Sequence, residues 1–215
     1  MNSLEQKFLI FAICCHKRSI YTKLNILKQY DLAYDVVSEY TCNKYTVFVP
    51  QNNNNEIIVA VKGIYSKTYA DRVADFGFYY GLDEITPRYR QTLRVVNKLM
   101  EEYPNASLHL CGISIGGMIA SEISTVLFMD KSLKIPCYAF NIHSWNKYVL
   151  KDPTYVIREN TTCDFVKVFD STLREHTHSV SSSGAEDVNN PHSYKNFLQD
   201  VCEENTEEEE NENLE

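Results

Sequence analysis

Two short apolar runs near residue 50 have the pattern of buried strands. Residues 45–49 (Tyr-Thr-Val-Phe-Val) and 56–61 (Glu-Ile-Ile-Val-Ala-Val) are rich in β-branched and aromatic side chains. The polar stretch 51–55 separates them, so the pattern predicts two strands joined by a turn. Closer to the N-terminus, residues 8–15 are apolar but far fewer than the roughly 20 that span a bilayer, and they predict a partly buried first helix.

The strongest helical period begins at Thr86. Apolar residues then recur three or four positions apart, as on the buried face of a helix. Thr86 is suited to cap the first turn, and Pro87 to occupy the first helical position, where a missing N–H is not needed. The apolar positions of this predicted helix are Tyr89, Leu93, Val96, Met100 and Tyr103.

Strand-like and helix-like segments alternate beyond this point. Residues 107–111 have the pattern of a short buried strand, and a second helix is predicted from 115 to about 129. Residues 136–140 and 155–157 again have strand character. Because such alternation is typical of α/β folds, the sequence predicts a mostly parallel sheet with helices on both faces.

The acidic charge of the chain is concentrated at its C-terminal end. From Glu203 onward there are eight glutamates and no Lys or Arg; without them the 29 acidic residues fall to 21 and match the 21 basic ones. A neutral body gives no reason to expect nucleic acid as a partner. We expect one domain over residues 1–202 and a disordered acidic tail over 203–215, with a docking segment for a basic protein as the alternative for the tail.

The cysteines and the N-terminus both favour a cytoplasmic protein. The seven cysteines are an odd number without a CxxC pair, which predicts free thiols in a reducing compartment and no metal site. Residues 8–15 are preceded by Glu5 and are followed by basic residues without a small-residue cleavage site, which makes a poor signal peptide. We expect no membrane span and no cofactor; peripheral contact with a lipid surface stays open.

A serine between glycines joins the predicted strand 107–111 to the helix that follows. The motif reads Gly112-Ile113-Ser114-Ile115-Gly116. On a sharp strand-to-helix turn, a serine hydroxyl is exposed above the sheet while backbone N–H groups point at the substrate. Glycine is suited to the flanking positions because side chains there collide. The alternative is a glycine-rich helix start that binds nothing or a phosphate, without the Lys-Ser/Thr pair of a P-loop.

Around this motif the chain resembles the class 3 lipase family, the α/β-hydrolases that include fungal triacylglycerol lipases. The resemblance runs from about residue 57 to 194. Residues 58–63 look like the family's strand ending in Arg-Gly-Thr/Ser, and residues 71–75 resemble the acidic positions that follow it. Residues 99–120 are similar to its helix, Tyr-Pro, strand and Gly-His-Ser-Leu-Gly-Gly block. The resemblance implies an α/β-hydrolase fold and hydrolysis of a hydrophobic or lipid ester.

The resemblance also implies a catalytic triad. Its members are Ser114 as nucleophile, Asp164 as the acid after a strand and short turn, and His192 as the base before an aromatic residue. The order Ser, Asp, His is that of α/β-hydrolases. Other residues compete for the acid and base positions; they are Asp170, His176 and His178.

Two isoleucines depart from the family pattern, one before the serine and one at the oxyanion hole. Ile113 replaces the usual histidine before the serine, and Ile64 replaces the Thr or Ser that contributes a hydroxyl. The remaining donors are the backbone N–H groups of Ile115 and Ile64, and the loss of one donor costs a factor of roughly 100 or more. The departures motivate an alternative function, a weak or inactive lipase-fold protein that serves in a larger viral or cellular assembly.

An aromatic-rich segment covers residues 65–82. It contains Tyr69, Phe76 and Phe78, and it occupies the place where the family carries a lid over its acyl-binding groove. The alternative is an ordinary helix or loop whose aromatic side chains pack in the core.

Overall fold

The helices and strands of the protein follow the predicted alternation. The computed structural model describes residues 3–53, 55–63, 86–140, 155–160 and 177–180, the last two segments as backbone alone. The elements in chain order are α1 (Ser3–Cys14), α2 (Ile20–Gln29), β1 (Tyr34–Val36), a short 3-10 turn (Ser38–Tyr40), β2 (Tyr45–Pro50), β3 (Glu56–Val61), α3 (Pro87–Glu102), β4 (Ser107–Ile113), α4 (Ile115–Lys131), β5 (Cys137–Phe140), β6 (Tyr155–Asn160) and β7 (Thr177–Val180).

The strands form one mixed sheet. Within the described ranges it has seven strands, and their spatial order is their order in the chain. Strands β1, β2 and β3 pair antiparallel, whereas every pairing from β3 to β7 is parallel. The mostly parallel sheet is therefore confirmed, with an antiparallel edge that the turn between β2 and β3 produces.

Each face of the sheet carries its own apolar core, because side chains alternate along a strand. In β3, Ile57, Val59 and Val61 pack with α3 and α4. The intervening Ile58 and Ala60 pack with α1 and α2. The predicted helices on both faces are thus confirmed, and the central strands are buried on both sides.

Helix α1 is more deeply buried than the sequence predicts. Every residue from 8 to 14 is at most 3% exposed, because the sheet lies on one side of the helix and α2 contacts another. The ring of Phe8 stacks on that of Tyr138 with ring centroids 3.8 Å apart. The ring centroids of Phe11 and Phe48 are 4.9 Å apart. Neither α1 nor any other helix in the described ranges is long and apolar enough to cross a bilayer.

Helix α3 begins where the sequence predicts. The Thr86 side chain accepts a hydrogen bond from the Tyr89 amide at 3.3 Å, and Pro87 is the first helical residue. The buried face is rotated from the predicted one, since three predicted positions lie only partly buried beside the core. These are Leu93, Met100 and Tyr103, whereas Tyr89, Thr92, Val95, Val96 and Leu99 are buried.

Three elements were not predicted, namely α2, β1 and β7. Helix α2 begins after Ser19, whose side chain accepts from the Thr22 amide at 3.5 Å. Its buried face includes Lys23, whose amino group donates to Thr46 Oγ1 at 2.8 Å. A lysine at a core position interrupts the apolar period, which explains why the pattern does not reveal this helix.

Candidate active site

Ser114 occupies the single residue between β4 and α4. Its backbone has φ 55° and ψ −130°, and its side chain is partly exposed. The Ser114 amide donates to the Phe140 carbonyl at 2.9 Å, and its carbonyl accepts from the Met118 amide at 3.0 Å. A non-glycine residue in such a sparsely populated conformation costs about 1–3 kcal/mol and persists only where its surroundings impose it.

Contacts at two glycines impose this turn. A Cβ atom on Gly112 would lie 2.4 Å from the carbonyl carbon of Gly116, and one on Gly116 would lie 2.2 Å from the Val61 carbonyl oxygen. Real side chains do not approach backbone so closely. The first turn of α4 thus packs directly against β4 and against the end of β3, which confirms the predicted reason for both glycines.

The start of α4 supplies backbone donors beside the serine. Amide groups in the first turn of a helix have no carbonyl partner within the helix, and the helix dipole makes this end positive. Ile115 is the first residue of α4, and its side chain is buried in the core between the sheet and α4. Its amide, next to Ser114, is therefore suited to bind an oxyanion.

Three contacts hold the segment that follows β3. The Lys62 amide donates to the Lys44 carbonyl at 2.9 Å. Arg88 Nη1 donates to the Lys62 carbonyl at 3.2 Å, and the Gly63 amide donates to His16 Nε2 at 3.4 Å. This segment lies beside the serine turn, because a Cβ on Gly63 would lie 2.8 Å from the Ile113 carbonyl oxygen.

His16 is a neutral acceptor at this site. The side chain keeps some solvent contact, but the protein around its ring removes enough water to lower its pKa to about 3, and the positive charges of Lys62, Arg88 and Lys17 add to this effect. The sequence does not predict the contact of His16 with the site. No sequence signal indicates it, because 47 residues separate His16 from Gly63.

The structure describes only part of the predicted site. It places Ser114 and Ile115 together at the carboxyl end of β4, and it places the competing His178 in β7. It neither brings together nor separates the remaining candidates, which lie outside the described residues. These are Ile64, Asp164, Asp170, His176 and His192; residues 65–82 and 203–215 also lie outside them.

His109 is another described histidine of the sheet, and it lies far from the edge that holds Ser114. His109 is in β4, and its Nε2 lies 3.0 Å from Ser107 Oγ and 3.6 Å from a carboxylate oxygen of Glu56. All three residues are at the amino ends of β3 and β4, opposite Ser114. In the described part of the chain, no three His, Cys, Asp or Glu residues cluster as metal ligands do.

Solved structures with a similar fold include fungal lipases. The MDLA N225Q mutant from Penicillium cyclopium aligns with a TM-score of 0.54 at 15% identity, over 87% of this chain and 83% of that one. A fungal lipase–inhibitor complex aligns with a TM-score of 0.49 at 13% identity, over 73% and 70%. A lipase–propeptide complex from Rhizomucor miehei also scores 0.49 at 13% identity, over 84% and 70%.

These likenesses concern the fold. No protein-family model and no curated protein matches the sequence. Among the three structures, the one from Penicillium cyclopium exceeds a TM-score of 0.5, and at 15% identity it shows a shared fold rather than a shared activity. Together with the parallel strands and the strand–serine–helix turn, it identifies the fold as that of the α/β-hydrolases, as the sequence predicts.

The turn conformation predicts opposite effects of glycine at two serines. At Ser114, where φ is 55°, Ser114→Gly is expected to be more stable than Ser114→Ala by about 1 kcal/mol, because glycine has no Cβ to clash at positive φ. At Ser121, inside α4, the order reverses, since glycine within a helix costs about 0.5–1 kcal/mol relative to alanine. Urea unfolding of the four variants measures both differences; a Ser114→Ala variant at least as stable as Ser114→Gly contradicts the described turn.

The lowered pKa of His16 predicts that the folded protein loses stability in mild acid. Its folded pKa of about 3 lies below the ordinary value of 6.5. Between these values the unfolded chain binds a proton that the folded chain does not, so stability falls as the pH falls below 6.5. Allowing for the solvent contact of the ring, the loss at pH 5 is about 1–2 kcal/mol.

The variant His16→Gln isolates this contribution because it does not titrate. The unfolding free energy of the wild type minus that of the variant, measured in urea, is expected to decrease by this amount between pH 7.5 and pH 5. Parallel pH profiles for the two proteins contradict the prediction.

Proposed function

We propose that the chain is a serine carboxylic-ester hydrolase of the class 3 lipase type that cleaves lipid or other hydrophobic esters through an acyl-enzyme on Ser114. The observation that carries this proposal is the conformation of Ser114. A partly exposed serine with φ 55° and ψ −130° joins a parallel strand to a helix, which is the arrangement of a nucleophile elbow. The chemistry needs no cofactor.

Asp164 and His192 complete the proposed triad. His192 takes the proton of Ser114 as the ester carbonyl is attacked, and Asp164 fixes the tautomer of His192 and stabilises its charged form. The backbone of β6 supports Asp164, since β6 runs parallel to β4 and β5 and ends at Asn160, four residues before Asp164. Parallel strands end at the same edge of a sheet, so the chain leaves β6 at the edge where Ser114 lies. Asp170 remains the competing acid, and His176 and His178 remain the competing bases.

The proposed oxyanion hole consists of two backbone amides. The amide of Ile115 belongs to the first turn of α4, and that of Ile64 directly follows Gly63. In the family that the sequence resembles, a hydroxyl at the second position adds a donor that isoleucine lacks. Because one oxyanion donor contributes roughly 100-fold or more to the rate, we expect a slow esterase.

A second candidate function is a lipase-fold interaction protein with little or no catalysis. The observation that favours it is the environment of Ile113, which is 4% exposed and packs in the core with α1. The position before the serine therefore contributes to packing instead of carrying a polar group. In this case the acidic tail would bind a basic partner.

Active-site labelling distinguishes the two functions. A fluorophosphonate probe is expected to modify the wild type at one site, because the probe reacts with a serine that a histidine has activated. Ser114→Ala is expected to abolish labelling, whereas Ser121→Ala, about two turns further along in α4, preserves it. Mass spectrometry locates the adduct, and hydrolysis of p-nitrophenyl esters of increasing acyl length then defines the preferred substrate.

A folded wild type that the probe does not label rules out the hydrolase and favours the interaction protein. Labelling that persists in Ser114→Ala assigns the reactivity to another residue and contradicts the proposed nucleophile.

A further inference from the structure

The peptide bond between Lys62 and Gly63 is held at both ends by side chains. Its carbonyl accepts from Arg88 Nη1 at 3.2 Å, and its N–H donates to His16 Nε2 at 3.4 Å. The peptide is trans, as are all those described, so these two groups point in opposite directions. Side chains from the beginning of α3 and the end of α1 therefore fix the orientation of one peptide plane.

This peptide plane borders the serine turn. A Cβ on Gly116 would lie 2.8 Å from the carbonyl carbon of Lys62 and 2.8 Å from the nitrogen of Gly63. The peptide thus lies against the first turn of α4, which begins at Ile115 directly after Ser114. With its N–H bonded to His16, Gly63 does not itself serve as an oxyanion donor, and the next amide along the chain is that of Ile64.

We propose that His16 and Arg88 are positioning residues that clamp the Lys62–Gly63 peptide and so fix the backbone against which Gly116 packs, one residue after the Ile115 oxyanion donor. This inference rests on the proposed hydrolase. Rotation of the peptide would exchange its N–H and carbonyl and would disturb its close contact with Gly116 in the first turn of α4. Neither side chain needs to touch the substrate for this role.

The chemistry of the two side chains suits the clamp. To accept from Gly63 at Nε2, His16 must be neutral with its proton on Nδ1. Burial of the ring and then the positive charges of Lys62, Arg88 and Lys17 lower its pKa and favour this neutral form. Arg88 carries a permanent charge, and its hydrogen bond to a carbonyl is correspondingly strong.

Substitution at His16 tests the clamp. His16→Leu removes the acceptor at similar size, and it is expected to lower kcat for a p-nitrophenyl ester about 10- to 100-fold with KM changed less than about twofold, since an oxyanion donor acts mainly in the transition state. His16→Gln, which offers a carbonyl acceptor at similar reach, is expected to recover kcat to within about fivefold of the wild type. Arg88→Met acts on the other end of the same peptide and is expected to lower kcat in the same way, which keeps the test decisive if His16→Leu does not fold.

His109→Leu is the matched control, because it removes a half-buried imidazole at the opposite edge of the sheet. It is expected to lower the Tm but to leave kcat within about twofold of the wild type. A folded His16→Leu or Arg88→Met with wild-type kcat overturns the clamp, as does a loss of kcat in His16→Leu no larger than in His109→Leu. A wild type that the fluorophosphonate probe does not label overturns both the hydrolase and the clamp. If the wild type is labelled but the variants keep wild-type kcat, only the clamp is overturned.

Discussion

The contact between the backbone at the end of β3 and the first turn of α4 is the constraint on which the site depends. A Cβ on Gly116 would lie 2.2 Å from the Val61 carbonyl oxygen, and one on Gly112 would meet Gly116 itself. Because these backbones touch, β4 must turn into α4 within a single residue. Ser114 makes this change of direction at φ 55°, and the backbone strain therefore lies at a partly exposed serine.

The two apolar cores explain how distant residues reach this contact. The core around Phe8 and Phe48 holds α1 against one face of the sheet, so the end of α1 brings His16 to the carboxyl edge of β3. The core on the other face holds α3, whose second residue is Arg88. The end of α1 and the beginning of α3 therefore both lie beside the Lys62–Gly63 peptide. Packing remote from Ser114 thus fixes the backbone next to the serine.

Much of the fold could be predicted because burial imposes a period on the sequence. The central strands alternate between two apolar cores, and α3 carries a cap and a proline at its start. Helix α2 could not be predicted, because buried Lys23 satisfies its amine through Thr46 and breaks the apolar period. The serine and its glycines could be recognised as a local motif. The role of His16 could not be predicted, because a contact between residues 47 positions apart produces no motif in the sequence. The proposed acid and base were inferred from the family resemblance and not from a local pattern.

A crystal structure of the protein after phosphonate modification of Ser114 tests this account most directly, because it shows the turn and the bound phosphoryl group together. The expected result has Ser114 at positive φ, a phosphoryl oxygen about 3 Å from the Ile115 nitrogen, and the Gly63 amide still bonded to His16. A Ser114 with helical or extended backbone angles, or a phosphoryl oxygen directed away from the start of α4, would contradict it.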